Sequence, residues 1–435
     1  MSASSVFLEP ARELAAFSTF DVIVCGAGPA GFAAALVAAR QGARTLLLEA
    51  HGCLGGVWTA GNLSIALDPY DHQGHFKPLM GELDRRLKAL DGGRVPQDGR
   101  KCLIYDPEIM KIVLERLCLE AGVTIRLHTR VAAAYTESGR VRTIVTESKS
   151  NREAWHAEVF IDCTGDGDLG AQAGCHFAVG HPESGEVQPM SMTAILQGIP
   201  IEAVRPFLGG QRGREPKVRL YEEILRGGHR LSTGIPLLLE IHEDLFAMMC
   251  THQYGHHATD AASITQATLD AREETHRIVA ALRSLGEPWS RLRIVSTGSQ
   301  IGIREGRRIA GLYEVTINDI LDGRRHEDGA CDVNFGFDVH ALRKTMNQGG
   351  IDKSRPKPGK PLPYQIPMRA LVARDVDGLL MAGRCVSGDF WAHSSYRVTG
   401  DAVQMGEATG RFAAQLVREQ ITPHQALSQV PTASG

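Results

Sequence analysis

The chain has 435 residues, of which 47 are Lys or Arg and 50 are Asp or Glu, so its formal charge is −3 at neutral pH. This balance provides no positive field for a polyanion, and a composition with 43% hydrophobic residues excludes disordered and collagen-like chains. The length corresponds to roughly two or three domains, each with its own core.

The cysteines and the hydropathy pattern indicate the cellular location of the protein. Nine cysteines are scattered singly without a C-x-x-C pair, so we expect reduced thiols and no metal site. No apolar run reaches the ~18 residues that a membrane-spanning helix requires, and the first residues lack the apolar stretch of a secretory signal. We therefore predict a soluble, cytoplasmic protein that binds neither membrane nor nucleic acid.

The first informative segment runs from Phe20 to Glu49 and has the pattern strand, glycine-rich turn, helix, strand, acid. Gly26 permits a tight turn, Gly28 lets the backbone approach a pyrophosphate, and Gly31 lets the helix pack closely on the strand. The helix N-terminus attracts the phosphates, and Glu49 would accept hydrogen bonds from a ribose. The segment therefore predicts a dinucleotide-binding unit. Its predicted cofactor contacts are Gly26, Ala27, Gly28, Pro29, Ala30, Gly31, Glu49 and Ala50.

A Gly55-Gly56 doublet follows this acid, and here the sequence resembles the FAD-dependent oxidoreductases of the glutathione-reductase-like superfamily. Two later apolar strands end in motifs, at 164–166 and 383–384, that also resemble this superfamily. The resemblance implies that the cofactor is FAD rather than NAD, bound where strand ends converge at the carboxyl edge of a sheet. The contacts that it implies are Gly55, Gly56, Val57, Trp58, Val131, Thr164, Gly165, Asp166, Gly383 and Arg384.

Three further stretches resemble a bacterial subgroup of FAD-dependent oxidoreductases: Gly302 to Leu321, Tyr364 to Val372 and Ser395 to Gly410. Together with the first motif, they extend the resemblance over nearly the whole chain. The sequence departs from the subgroup at Asp401 and Gln404, which are more polar than its pattern.

The FAD motifs are far apart in the sequence, which predicts the domain organisation. We expect an α/β fold in which a Rossmann-like FAD-binding domain is discontinuous and an α+β substrate domain is inserted into it. The expected boundaries are 18–175 and 373–425 for the FAD-binding domain, and 176–372 for the substrate domain.

Helical periodicity predicts amphipathic helices at 78–90 and 106–121, and two further helices are expected at 217–226 and 259–285. The helix at 106–121 has a typical start, because Asp106 can cap it and Pro107 suits its first turn.

Candidates for the chemistry lie in the segment Phe390 to Arg397, between the late FAD strand and the last long helix. His393 is the candidate general base, with a pKa expected near the working pH. The alternative is a structural histidine that bonds a backbone carbonyl. Arg397 is expected to bind a substrate carboxylate or to stabilise reduced flavin, and Tyr396 to line the pocket. The predicted catalytic residues are His393, Arg397 and Tyr396.

The helix that begins at Thr399 would aim its N-terminus at the flavin pyrimidine ring, where negative charge builds up on reduction. Its predicted cofactor contacts are Thr399, Gly400, Ala402 and Val403.

Two other polar clusters are assigned structural roles. His252, His256 and His257 lack the spacing of metal ligands, so we expect surface histidines. The arginines of the segment 304–308 are expected to bridge the two domains by ion pairs, with a role in substrate binding as the alternative.

Missing motifs narrow the function. Disulfide reductases of the superfamily need a redox C-x-x-x-x-C and a nicotinamide domain, and its aromatic monooxygenases carry Gly-Asp where this chain has Gly383-Arg384. We therefore predict an FAD-dependent oxidoreductase that oxidises or desaturates a small organic substrate by hydride transfer to flavin N5. Electrons would pass to oxygen or to an acceptor partner.

Two alternatives stay open. One is a reductase or hydroxylase that is reduced by NAD(P)H or by a separate reductase, and the other is a non-catalytic protein that binds FAD or ADP. The sequence also leaves open the substrate, covalent attachment of FAD and the oligomeric state.

Overall fold

The computed structural model describes residues 7–94, 102–209, 214–234, 236–348, 351–352 and 358–428. In this part of the chain the strands are β1 (Ala15–Phe17), β2 (Val22–Cys25), β3 (Thr45–Leu48), β4 (Ile65–Leu67), β5 (Gly93–Arg94), β6 (Cys102–Tyr105), β7 (Thr124–Arg126), β8 (Arg130–Glu137), β9 (Arg140–Ser148), β10 (Asn151–His156), β11 (Val159–Asp162), β12 (Phe177–Ala178), β13 (Thr193–Gln197), β14 (Leu237–His242), β15 (Leu245–Met249), β16 (Arg293–Thr297), β17 (Arg308–Ile309), β18 (Gly329–Val333), β19 (Asn347–Gln348), β20 (Ile351–Asp352), β21 (Tyr364–Pro367) and β22 (Leu379–Met381). The α-helices of the same residues are α1 (Pro29–Arg40), α2 (Pro78–Lys88), α3 (Pro107–Glu120), α4 (Asp168–Gln172), α5 (Ile201–Val204), α6 (Glu215–Arg226), α7 (Ala261–Ser284), α8 (Ile317–Asp322), α9 (Phe390–Tyr396), α10 (Thr399–Glu419) and α11 (Pro423–Leu427).

The central element is a five-stranded parallel sheet with the order β22-β11-β2-β3-β7. Four of its strands, β2, β3, β11 and β22, are short apolar runs buried at every position, as expected of a parallel sheet that is covered on both faces. Because all five strands are parallel, their carboxyl ends meet at one edge of the sheet, although they come from distant parts of the sequence. The sheet confirms the predicted α/β class with a Rossmann-like core.

Helices α1 and α10 cover this sheet and pack against each other, α1 next to β2 and β3 and α10 next to β11 and β22. Their close approach requires glycine, because a Cβ atom on Gly406 would overlap the backbone carbonyl of Ala30. Within the first unit, a Cβ atom on Gly31 would likewise overlap the carbonyl of Gly26. Because these two glycines have no Cβ atom, the start of α1 can pack closely against the turn after β2 and against α10.

A second layer comes from residues between β11 and β22. The antiparallel sheet β14-β15-β13-β16 packs with α6 and α7 around a separate core that includes Leu220, Ile278 and Trp289. The observed α6 and α7 agree with the predicted helices. In α3, the Asp106 side chain accepts hydrogen bonds from the first-turn amides, as its sequence position predicted. The domain boundaries themselves stay a prediction.

Among the helices of the described residues, none combines the length and apolar composition needed to cross a bilayer. None of the nine cysteines, all of which lie in the described part of the chain, forms a disulfide, and all but Cys53 are buried.

Candidate functional site

The glycine turn after β2 forms a concave backbone surface at the carboxyl edge of the sheet. Gly26 has a φ of 92°, a conformation that favours glycine. Gly28 faces open space, since no atom lies within 4 Å of a Cβ built on it. Gly56 comes so close that its Cβ position lies 3.0 Å from the Gly28 Cα, and that of Gly383 lies 3.3 Å from the Ala30 Cβ. Three segments with predicted cofactor contacts therefore meet at this surface.

Glu49 follows β3 and is held beside the turn. Its Oε2 accepts a hydrogen bond from the Ala27 amide at 2.7 Å, and its Oε1 accepts one from the His51 amide at 2.8 Å. Each carboxylate oxygen keeps a lone pair with which a ribose hydroxyl could bond. The Glu49 carbonyl accepts from the Thr129 amide, which brings the start of β8, with Val131, to the same place.

Arg384 joins the ends of β11 and β22. Its Nη1 donates to Asp166 Oδ1 at 2.9 Å, and its guanidinium group lies against Gly165, whose φ is 83°. Burial raises the pKa of Asp166, and Arg384 opposes this effect. Thr164 is fixed by its amide and hydroxyl, which both donate to the Asp162 carboxylate. The two later motifs are thus in direct contact.

The chemical groups at this edge of the sheet fit FAD. The N-terminus of α1 has no side-chain cap, so its first amides and its dipole are available to a diphosphate in the glycine concavity. Trp58 is fully buried, yet its Nε1 has no hydrogen-bond partner among the described residues. Its neighbour Val57 is half-buried, and Ala50 is exposed.

The predicted contacts in α10 lie at a helix start that also lacks a side-chain cap. Gly400 packs directly on the backbone of residues 67–68, where a Cβ atom would not fit. Ala402 and Val403 are buried. That Thr399 and these three residues contact the cofactor stays a prediction.

His393 is fully buried in α9, and neither ring nitrogen has a hydrogen-bond partner among the described residues. Burial, followed by the guanidinium groups of Arg308, Arg397 and Arg384, lowers the pKa of His393 well below its ordinary value; the Arg384 backbone offsets this only in part. The expected pKa near the working pH is therefore wrong, because the surroundings oppose a further positive charge. The lowered pKa favours the neutral imidazole, one nitrogen of which can accept a hydrogen bond.

Arg397 and Tyr396 have partners within the protein. Arg397 Nη2 donates to the Asp338 carboxylate at 2.9 Å and to its carbonyl at 2.6 Å, so Asp338 takes the place of the expected substrate carboxylate at this nitrogen. The Tyr396 hydroxyl donates to the Val386 carbonyl at 2.8 Å. The one hydroxyl proton of Tyr396 is thus used inside the protein, which favours a role in packing over the predicted catalytic role.

Arg397 borders a cluster of polar side chains that the sequence analysis did not predict. This polar cluster consists of Asp338, His340, His252 and Arg304. His340 Nε2 is 3.5 Å from Asp338 Oδ2. Burial raises the pKa of Asp338, but His340, Arg397 and Arg304 outweigh burial and hold it below the ordinary value. The ring of His252 lies edge-on to His340 with 5.0 Å between centroids.

His252 is buried, contrary to the expected surface position. Its Nδ1 faces the Tyr254 hydroxyl at 3.2 Å, and its Nε2 faces Nη2 of Arg304 at 3.2 Å. Because a guanidinium group can only donate, Nε2 accepts and the proton lies on Nδ1. Of its neighbours, His256 is half-buried and His257 is exposed. Within the described ranges, no group of three or more potential ligands has a metal-binding arrangement.

The arginines of the segment 304–308 form contacts inside the protein. Arg307 donates to Asp168 of α4 at 2.8 Å, and Arg308 donates to Glu305 at 2.8 Å. Arg308 also reaches the Gly388 carbonyl at 3.0 Å, which connects the segment to the start of α9. These contacts place the segment beside His393.

An open cleft of about 390 Å³ lies next to the polar cluster. Tyr254, which contacts His252, is part of its wall. Residues 184–187 and 342–344, with Gly255 and His257, complete the lining.

Two of the buried histidines, His252 and His393, predict a loss of stability in acid. Burial first, and then nearby positive charge, lowers the pKa of His252 and of His393, whereas unfolded histidine titrates near pH ~6.5. Below that pH the unfolded chain binds more protons, so the free energy of unfolding should fall by up to about 1.4 kcal/mol per pH unit for each histidine. Urea unfolding between pH 5 and 8 measures this slope. His393→Asn should remove one histidine's share and the exposed His257→Asn none; equal slopes in all three proteins would contradict the assignment.

The geometry defines a Rossmann-like flavoprotein, and the comparison with protein families agrees. The family model described as FAD dependent oxidoreductase matches residues 21–431, so the chain belongs to the FAD-dependent oxidoreductase family and its cofactor is FAD.

Curated relatives match over shorter stretches. Digeranylgeranylglycerophospholipid reductase 2 of Methanopyrus kandleri is 28% identical over 166 residues, which are 36% of this chain and 40% of the relative. Thiamine thiazole synthase of Aeropyrum pernix is 31% identical over 126 residues, 29% of this chain and 43% of the relative. The chain thus spans about two fifths of the length of these relatives.

Solved structures are similar to this chain at low sequence identity. BexE, described in studies of oxidation during BE-7585A biosynthesis, has a TM-score of 0.50 at 13% identity, over 92% of this chain and 63% of that one. A geranylgeranyl bacteriochlorophyll reductase-like protein from Thermoplasma acidophilum has a TM-score of 0.47 at 12% identity, over 93% of this chain and 79% of that one.

Proposed function

We propose that the protein oxidises or desaturates a small organic substrate and passes the electrons to oxygen or to an acceptor partner. When bound, FAD supplies the electron-accepting centre, to which the substrate gives a hydride at N5. The finer placement in the glutathione-reductase-like superfamily stays a prediction.

The observation that carries this proposal is the state of His393. Loss of a hydride from an alcohol or amine carbon must be accompanied by loss of a proton from its heteroatom. A neutral imidazole can accept a hydrogen bond from that heteroatom and take its proton as the hydride leaves, although the burial and the guanidinium groups that lower the pKa of His393 oppose the imidazolium that forms. Both nitrogens of His393 lack partners among the described residues, and its neighbour Arg384 belongs to the predicted cofactor contacts. His393 is therefore the proposed general base.

The surrounding arginines position the site rather than react. Arg397 holds Asp338 and thereby fixes the segment that leads to His340 and Leu342. Leu342 lines the cleft, so we propose that substrate enters there and that the segment 338–342 forms the path between the cleft and His393.

An anaerobic reduction screen tests the direction of the reaction. Amines, hydroxy acids and alcohols are added separately to the yellow holoenzyme, and loss of the flavin absorbance near 450 nm is followed at about 1 mM of each compound. We expect one of the three classes to bleach the enzyme. Bleaching by NAD(P)H alone would contradict the proposal that the organic substrate is the electron donor. Bleaching by dithionite alone would indicate a non-catalytic FAD-binding protein.

The opposite direction has one observation in its favour, namely that the Methanopyrus kandleri relatives are named reductases. A reductase or hydroxylase would take electrons from NAD(P)H or from a separate reductase. Faster reduction of the flavin by NADPH when a substrate is added would support this second candidate.

A further inference from the structure

A buried group of three charged side chains lies at the first turn of α10. Lys77 Nζ donates to Asp401 Oδ1 at 2.7 Å and to Asp68 Oδ2 at 3.1 Å. The side chains of Lys77, Asp401 and Asp68 are only 2%, 0% and 10% exposed. Two carboxyl groups thus share one ammonium group away from water, which also explains why position 401 is more polar than the pattern of the subgroup.

The charge of this triad depends on a single proton. Burial, followed by Asp68, raises the pKa of Asp401 well above its ordinary value, against the opposing effect of Lys77. Burial alone would lower the pKa of Lys77, but the two carboxylates outweigh it and raise that pKa, so the ammonium group stays charged. The triad is neutral when Asp401 is protonated and carries one negative charge when it is not.

Three other titratable groups lie near Asp401. Burial, as the largest effect, raises the pKa of Cys331 on β18 and of Tyr364 on β21 well above their ordinary values. Burial also raises the pKa of Glu407, which accepts a hydrogen bond from the Leu79 amide at 3.1 Å but lies in a later turn of α10. Of these groups, Asp401 is the one in the first turn of the helix.

We propose that the triad of Lys77, Asp68 and Asp401 sets the reduction potential of bound FAD by controlling the charge at the start of α10. The inference rests on the predicted placement of the flavin pyrimidine ring at this helix N-terminus, and it does not depend on the substrate. The helix dipole favours the negative charge that reduction brings, whereas an ionised Asp401 in the same turn opposes it. Reduction should therefore become harder as Asp401 loses its proton.

Potentiometric titration of the holoenzyme with dithionite and mediator dyes, from pH 5.5 to 9, tests the proposal. In Asp401→Asn, Lys77 and Asp68 remain as a balanced pair, so we expect a folded, yellow protein. The midpoint potentials of wild type and Asp401→Asn should agree at the acidic end. As the pH rises, the wild type should become progressively more negative than the variant.

A second variant and a matched control complete the test. Asp68→Asn removes the other carboxylate and should give the same potentials as Asp401→Asn, and asparagine tolerates the φ of 54° at this position. Glu407→Gln neutralises a buried acid about 9 Å further along the same helix and should follow the wild type.

Wild-type and Asp401→Asn potentials that coincide at every pH, or an equal shift in Glu407→Gln, would overturn the inference. Because dithionite is the reductant, such a failure leaves the proposed oxidation of a substrate untouched. A failed substrate screen would in turn leave these potentials unchanged.

Discussion

Gly28→Val is expected to give a folded protein that purifies without yellow colour. A Cβ atom at this position meets no protein atom within 4 Å, so the folded chain can accommodate valine at its φ of −63°. The added side chain would instead fill the concavity in which the glycine turn receives the diphosphate. We expect the affinity for FAD to fall on the order of 10²-fold or more, measured by titration of the apoprotein with FAD and flavin fluorescence.

Two comparisons make this result specific. Gly28→Ala adds a single methyl group and should have the same effect to a smaller degree. Ala39→Val lies in the last turn of the same helix and should retain FAD. A yellow, fully loaded Gly28→Val protein would mean that the diphosphate does not lie over this turn.

His393→Asn is expected to stay yellow but to be reduced by substrate on the order of 10²-fold more slowly, because the proton acceptor is lost. Reduction by dithionite should be unaffected. The lowered pKa of His393 adds a further expectation for the wild type. Since the imidazole is already neutral, the rate of reduction by substrate should not decline between pH 8 and 6, as stopped-flow measurements can show.

Tyr396→Phe is the matched control for this variant. It removes the hydrogen bond to the Val386 carbonyl, at a cost of about 1 kcal/mol in the free energy of unfolding, and should not change the rate of reduction. If His393→Asn reacts as fast as the wild type, or if Tyr396→Phe is the slower of the two, the assignment of the base is wrong.

The predicted FAD-binding residues could be found from the sequence because the motifs that mark them are short and continuous in the chain. Gly26, Gly28 and Gly31 each meet a backbone requirement within a few residues, and Glu49 follows the next strand. The convergence of distant motifs also followed from a simple rule, since parallel strands present their carboxyl ends at one edge.

The polar cluster could not be predicted in this way. Asp338 meets Arg397 across 59 positions, and Arg304 meets His252 across 52. Each of these residues looks like an ordinary surface residue until its partner is known. The predicted surface position of His252 was wrong for this reason. Its ring can be buried because Tyr254 and Arg304 provide hydrogen-bond partners for its two nitrogens.

Asp401 is an intermediate case. Its polarity marked it as unusual, but the explanation lies in Lys77, which is 324 positions away. A departure from a family pattern can therefore locate a special position in the sequence, whereas its physical cause becomes visible only in three dimensions.

The order in which the central sheet is assembled has a consequence for synthesis. Strand β22 begins at Leu379, and α10, which packs against the glycine turn, ends at Glu419. A polypeptide still emerging from the ribosome lacks both until residue 419 has been added. We therefore expect the first, strongly apolar strands to need protection until then, and flavin loading to follow the synthesis of α10.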